Sequence, residues 1–334
     1  MEPAQGFSFV FKPDLKQVSD LICNTWARPC WNYDTGLLEL HIMRPTGDPE
    51  LTVGQVSEDG RLASFQAYMP FEVEYYGDRY KAVFASFLTV SSDFHGKGLA
   101  GPQQGMLIEK AIEKGYDLYI TMCEVGAASN RAVEKIFAKK NLPVQVVNVL
   151  QYTAALRELV EPVLPKEATG KTRLYTKNDK PNIIGLVKDL GADAPLRKII
   201  PEADIDFLFA DRPHTRTWVF DDNGTIRGLA NLLLLEVIEP DESRALNVYF
   251  DNVSFGDLDE DEQAAFIGDI MLALQETDYN TAFMPKIGYV PEEPFRKYRF
   301  RVAPRQVNLY ISPLKEGVLP KGIREVDSFY LDVY

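Results

Sequence analysis

The sequence predicts an α/β chain with a mixed sheet, built as two consecutive domains of one design. Three observations lead there. Residues 83–111 read as a buried strand, a glycine-containing turn and a helix. The 334 residues, 46% of them hydrophobic, are long for one domain and enough for two ordinary cores. The order of strands, turns and helices in the first half recurs, at low similarity, in the second.

In chain order, residues 7–12 alternate like a strand, and Pro13-Asp14 opens a helix through Leu21, Ile22 and Trp26. Residues 31–45 read as a second helical segment with a loop. Trp31, Tyr33 and His41 there could wall a substrate, although core packing is the plainer role for each. Residues 51–57 and 61–76 form a hairpin around Glu58-Asp59-Gly60. After Gly77-Asp78 a strand runs to Val90. His95-Gly96-Lys97-Gly98-Leu99-Ala100 then leads into a helix with Leu99, Met106, Leu107 and Ala111 on one face. Gly115 stops that helix. A short strand (117–122), a loop ending at Asn130, a helix (131–140) and closing strands (144–153) follow. Pro162, Pro165 and Gly170 punctuate a helical connector, so the expected domains are 1–155 and 171–334 with a linker at 156–170.

A strand feeding a glycine-rich turn and a helix N-terminus offers unpaired N–H groups at the positive end of a helix dipole. That is an anion site, with a pyrophosphate as its usual guest. Gly96 and Gly98 let backbone approach a phosphate, and Lys97 adds a mobile charge. Gly96-Lys97-Gly98-Leu99-Ala100-Gly101 has the Gly-x-Gly-x-x-Gly spacing of the dinucleotide fingerprint, a short pattern that does not by itself select a dinucleotide, and the ATP-type loop is excluded because Gly98, not Ser or Thr, follows Lys97.

Net charge is −13, from 36 basic and 49 acidic residues, which argues against nucleic acid or an anionic membrane surface as the main partner. Cys23, Cys30 and Cys123 are too few for a disulfide framework and fit a reducing cytoplasm. No Cys/His metal spacing exists, and the start lacks a signal-peptide pattern. The longest apolar run, 228–237, is too short to cross a bilayer.

The stretch around Val90, Gly98 and Ala100 resembles the acyl-CoA loop of the GNAT superfamily of N-acetyltransferases: Gln/Arg-x-x-Gly-x-Gly/Ala, a few residues after a strand ending in Val. His95 takes the Gln/Arg position. Asn130 matches the Asn that faces the pantetheine arm in that family. Phe137 stands where the family usually has a Tyr that protonates the departing thiolate, so that role is vacant. The resemblance spans about residues 7–153. It implies acetyl-CoA or another acyl-CoA as co-substrate, no metal, and direct acyl transfer to the primary amine of a small molecule or amino acid. It also implies CoA contacts at Leu88, Thr89, Val90, His95, Gly96, Lys97, Gly98, Leu99, Ala100, Gly101, Asn130 and Phe137, with the splayed N–H of Val90 facing the thioester oxygen. The family's frequent strand Glu would fall near Phe84 and is absent. Glu124 becomes the candidate general base, with Glu72 and Glu74 behind it. Cys123 reads as a structural thiol.

In the second half, residues 245–253 are equivalent to the strand at 83–90, but Asp257-Leu258-Asp259-Glu260-Asp261-Glu262 replaces the glycine-rich loop. Those carboxylates suit a helix start and would repel a pyrophosphate. A tandem of GNAT-like acyltransferase domains, the second degenerate, is the expectation. Mycothiol synthases and N-myristoyltransferases resemble it in pairing such modules. A protein N-terminal acyltransferase and a non-catalytic acyl-CoA-binding regulator are the other readings.

Overall fold

The computed structural model describes residues 2–332. The first half contains β1 (Phe7–Phe11), α1 (Leu15–Thr25), β2 (Cys30–Trp31), α2 (Thr35–Ile42), β3 (Thr52–Ser57), β4 (Leu62–Tyr75), β5 (Asp78–Val90), α3 (Ala100–Glu113), β6 (Leu118–Glu124), α4 (Ala128–Lys139) and β7 (Gln145–Leu156). After α5 (Arg157–Val160) come β8 (Thr172–Leu174), α6 (Lys180–Lys188), β9 (Leu196–Ile199), α7 (Glu202–Phe209), β10 (Thr215–Asp222), β11 (Thr225–Ile238), β12 (Arg244–Ser254), α8 (Glu260–Ala273), β13 (Tyr279–Lys286), α9 (Glu293–Arg296), β14 (Arg301–Pro313) and β15 (Phe329–Tyr330).

The local chemistry explains the boundaries. Asp14 and Asp34 start α1 and α2 by accepting from the backbone N–H of Gln17 and Leu37. Gly60 takes φ +81° in the turn between β3 and β4, a conformation that glycine adopts without strain.

The chain folds into two compact units, and they do not coincide with the halves expected. One holds the residues up to Val149 together with Gln306–Val326; the other holds Leu150–Arg305 and the tail from Asp327. The reason is an exchange of closing strands. Residues 307–313 of β14 pair antiparallel with β6, inside the first unit. Residues 151–156 of β7 pair antiparallel with β13, inside the second. The first unit's sheet therefore runs β1-β3-β4-β5-β6-β14, and the second unit's runs β8-β10-β11-β12-β13-β7. These are the same order, each with one parallel pair, β5 with β6 and β12 with β13. The closing strand expected at 144–153 in the first half pairs, from residue 151 on, inside the second unit, and β14 from the second half closes the first unit.

In the first unit, α3 and α4 cover one sheet face through Leu107, Ile108, Val133 and Phe137, all packed against Val83, Ala85 and Tyr119. In the second, α8 buries Phe266, Ile267, Ile270 and Met271 against Phe220, Ala230 and Phe250. No helix among the described residues is long and apolar enough to cross a membrane.

Candidate active site

The site grows from one irregularity in β5. Its pairing with β4 is regular up to Ser86 opposite Ala67 and resumes at Thr89 opposite Phe65. Phe87 and Leu88 together face Gln66, which is a β-bulge. Phe87 has φ +60°, a left-handed conformation that costs a bulky residue about 1–2 kcal/mol. The surroundings hold it there. Thr89 Oγ1 donates to the Phe87 carbonyl at 3.1 Å and accepts from Trp26 Nε1 at 2.8 Å. The Phe87 ring packs edge-on against Tyr33 at 5.2 Å and tilts against His41 at 5.9 Å, and Tyr33 also meets Trp26 and Trp31. Tyr33 and His41, buried at 3% and 1% exposure, take the core-packing role that the sequence made the plainer one and support this bulge.

On its other edge β5 pairs in parallel with β6 from Ala82 to Ala85, and the pairing ends there, at Thr121. Beyond it β6 continues to Glu124, paired with β14 on its far side. The two parallel strands thus open into a wedge whose β5 wall carries Phe87 and Leu88. Val90, whose N–H the family resemblance places at the thioester oxygen, lies opposite Ser64 and past the end of the β5–β6 pairing.

Where β5 ends, the loop to α3 is exposed at His95, Gly96, Lys97 and Gly98, while Leu99 is buried and pins its end. Gly96 and Gly98 have φ +78° and +74°. Among the described residues no side chain caps α3, so its first-turn donors stay open to a ligand. His95 Nε2 donates to the Val90 carbonyl at 3.0 Å, which ties the loop back to the end of β5. A buried polar layer fixes this helix end to the sheet. Gln55 Nε2 donates to the Leu99 carbonyl at 2.8 Å, Gln103 Nε2 to the Val53 carbonyl at 3.1 Å, and the Ser64 hydroxyl to Gln103.

The second unit repeats the bulge and the wedge without the anion loop. Pairing of β12 with β13 ends at Tyr249, and the bulge follows at Asp251. Counted from the last parallel pair, Asp251 is the counterpart of Phe87. Its neighbour Asn252 donates to Asp251 and accepts from the Tyr330 hydroxyl. The start of α8 is closed by a capping box of Asp259 and Glu262, and Arg227 bridges Asp257 and Glu262. This helix end already has its anions.

Three sequence expectations change. Asn130 was assigned to the pantetheine arm, but its amide is spent. Nδ2 donates to the carbonyls of Glu124 (2.6 Å) and Ala127 (3.0 Å); Oδ1 accepts from Asn308 Nδ2 (3.0 Å) and the Tyr310 hydroxyl (2.9 Å). With both hydrogens and both lone pairs used, it clamps the loop after β6 to β14. Phe137 was assigned to the cleft, but it is wholly buried, 4.6 Å from the Tyr119 ring centroid, because α4 turns its Val133/Phe137 stripe to the core. Phe137→Tyr is therefore expected to lower stability by about 1–3 kcal/mol, through a hydroxyl without a partner, with no gain in rate. A thermal melt of the two proteins checks it. Glu72 and Glu74 lie opposite Lys81 and Arg79 near the β4–β5 turn, six and eight residues along β4 from Gln66. At about 3.3 Å per residue they are roughly 20 Å or more from the bulge, too far to serve as bases.

Glu124 ends β6 exposed, on the face opposite Cys123 and about 10 Å of strand past the wedge base. Burial raises the Cys123 thiol above its ordinary value, against a smaller opposing hydrogen bond from Ser129. A protonated, enclosed thiol fits a structural role. What sequence reasoning missed is the bulge itself and Tyr310, which arrives from β14.

This architecture, a mixed sheet split by a bulged wedge and repeated in tandem, is a fold shared with solved structures of N-myristoyltransferase. The particular solved structures it is most similar to include Saccharomyces cerevisiae N-myristoyltransferase with bound myristoyl-CoA, at TM-score 0.77 and 14% identity, covering 92% of this chain and 79% of that one. A second structure of that yeast enzyme gives 0.75 and 13%, covering 93% and 83%. A conserved Enterococcus faecalis V583 protein of unknown function, described as a probable N-acyltransferase, gives 0.57 and 10%, covering 94% and 73%. No protein-family model and no curated protein sequence matches the chain.

Proposed function

We propose that this protein is an acyl-CoA-dependent N-acyltransferase that acylates the primary amine of a small molecule or amino acid. One observation carries the reading: the bulged, unzipped end of β5 stands directly before an uncapped, glycine-rich helix start. The loop from His95 to Gly101 would hold the CoA pyrophosphate on backbone N–H groups, with Lys97 above it. The pantetheine arm would lie along the wedge, replacing the missing strand pairing. A backbone N–H past the wedge base, at Val90 or at the Phe87–Leu88 bulge, would then face the thioester oxygen as charge develops there. The neutral amine attacks the carbonyl carbon, the C–S bond breaks, CoA leaves as a thiolate that takes its proton from water, and the nitrogen's extra proton passes to Glu124 at the rim. An acidic chain favours approach of a cationic amine. The N-myristoyltransferase likeness supports acyl-CoA as donor; acetyl-CoA is the donor to test first.

The test is thiol release from acetyl-CoA and longer acyl-CoAs with a panel of amines, amino acids and a peptide bearing a free N-terminus. Release with a small amine or amino acid supports the reading. Release with the peptide alone moves the acceptor to protein N-termini, and binding of CoA without release from any acceptor makes the protein a regulator. Glu124→Gln is expected to lower kcat at least about tenfold and leave KM for the acyl-CoA unchanged. Full turnover across the pH range would remove Glu124 from the base role.

A further inference from the structure

We infer that the Tyr68 hydroxyl is the hydrogen-bond donor to the CoA sulfur as it leaves, filling the role that Phe137 cannot. The inference rests on the acyltransferase reading above. Tyr68 lies on β4 directly opposite Ala85, the last β5 residue to pair with β6, so it stands at the base of the wedge. Its ring is on the α3 side of the sheet, among Leu107, Ile108 and Tyr119. That is the side on which the anion loop enters its helix, and so the side along which a pantetheine arm would descend. Tyr68 is 1% exposed, and its hydroxyl has no hydrogen-bond partner among the described residues. Two residues along the same strand face, Gln66 is 2% exposed, and its Oε1 is likewise unpartnered. Gln66 is the residue that faces the bulge.

Buried polar groups without partners are uncommon, because each forfeits its hydrogen bonds to water. Two on one strand face, one at the wedge base and one at the bulge, mark a place where a polar guest completes the bonding. A thioester sulfur and the pantetheine amide N–H supply an acceptor and a donor at suitable spacing. Burial holds the Tyr68 phenol protonated far above neutral pH, so it is present as a donor throughout the working range. It donates a hydrogen bond and keeps its proton. In the balance of the reaction the C–N bond forms, the C–S bond breaks, and the sulfur leaves as a thiolate that takes its proton from water.

The experiment compares wild type with Tyr68→Phe in two measurements. In the first, the thiolate absorbance of bound, unacylated CoA is followed against pH. The bound thiol is expected to ionise about 1 pH unit higher in the variant, a tenfold loss of thiolate stabilisation. In the second, kcat for acyl transfer is expected to fall at least about tenfold, with KM for acyl-CoA within about twofold. Removing a partnerless hydroxyl is expected to leave the melting temperature unchanged or higher. If CoA binds both proteins and its thiol titrates identically, the Tyr68 assignment is wrong while the CoA site stands. If CoA does not bind the wild-type protein, the acyl-CoA reading falls and takes Tyr68 with it.

Discussion

Gly98→Val lowers the affinity for CoA at least about tenfold, or about 1.4 kcal/mol, while the fold persists. Two effects combine. At φ +74° a β-branched residue is strained, and relieving the strain swings the loop's N–H groups away from the ligand. Beyond its two chain neighbours, no atom of the described residues lies within 4 Å of a Cβ at this position, so the β-carbon meets open space in the free protein. It would instead stand in the space the phosphates need. Calorimetry with CoA, beside a melting curve showing the variant folded, checks both halves. An unchanged dissociation constant in a folded variant removes the loop from the binding site.

Asn130→Ala has the largest expected effect on stability. Four hydrogen bonds go at once, and Asn308 Nδ2 and the Glu124 carbonyl lose a partner in a half-closed setting. Each such loss costs on the order of 1 kcal/mol, more where burial is complete, so the total is about 2–4 kcal/mol. For a unit of this size that is a fall of roughly 10 °C in melting temperature. Asn130→Asp is expected to do nearly as badly. It keeps two acceptors for Asn308 and Tyr310 but turns oxygen toward the carbonyls of Glu124 and Ala127. A melting temperature within about 1 °C of wild type for Asn130→Ala would mean that Asn130 does not clamp β14.

These residues also show what the sequence can tell. The strand, turn and helix from Val83 to Ala111 were legible because their determinants are local: an apolar run, two glycines and helical spacing. The capped acidic start of α8 was legible for the same reason. The bulge was not, because Phe87 and Leu88 sit in an unbroken apolar run in which only cross-strand register reveals the extra residue. The strand exchange was not, because alternation says that β7 and β14 are half-buried, not which sheet takes them. Asn130 was identified as special but given the wrong work; its partners Asn308 and Tyr310 lie 178 and 180 residues away. The burial of Phe137 had a local signal, the apolar pair Val133 and Phe137 one turn apart, which the family correspondence outweighed. Helix α7 and strand β9 are short and weakly periodic, so the sequence pattern alone does not reveal them.

The central claim is that one wedge, in the unit with the glycine-rich loop, binds acyl-CoA, while its counterpart around Asp251 is filled by the protein's own side chains. Calorimetric titration of the full chain with CoA tests it most directly. One equivalent per chain is predicted, with the heat abolished or strongly weakened by Gly98→Val and unaffected by substitution of Asp257. Two equivalent sites per chain, or no binding at all, would contradict it.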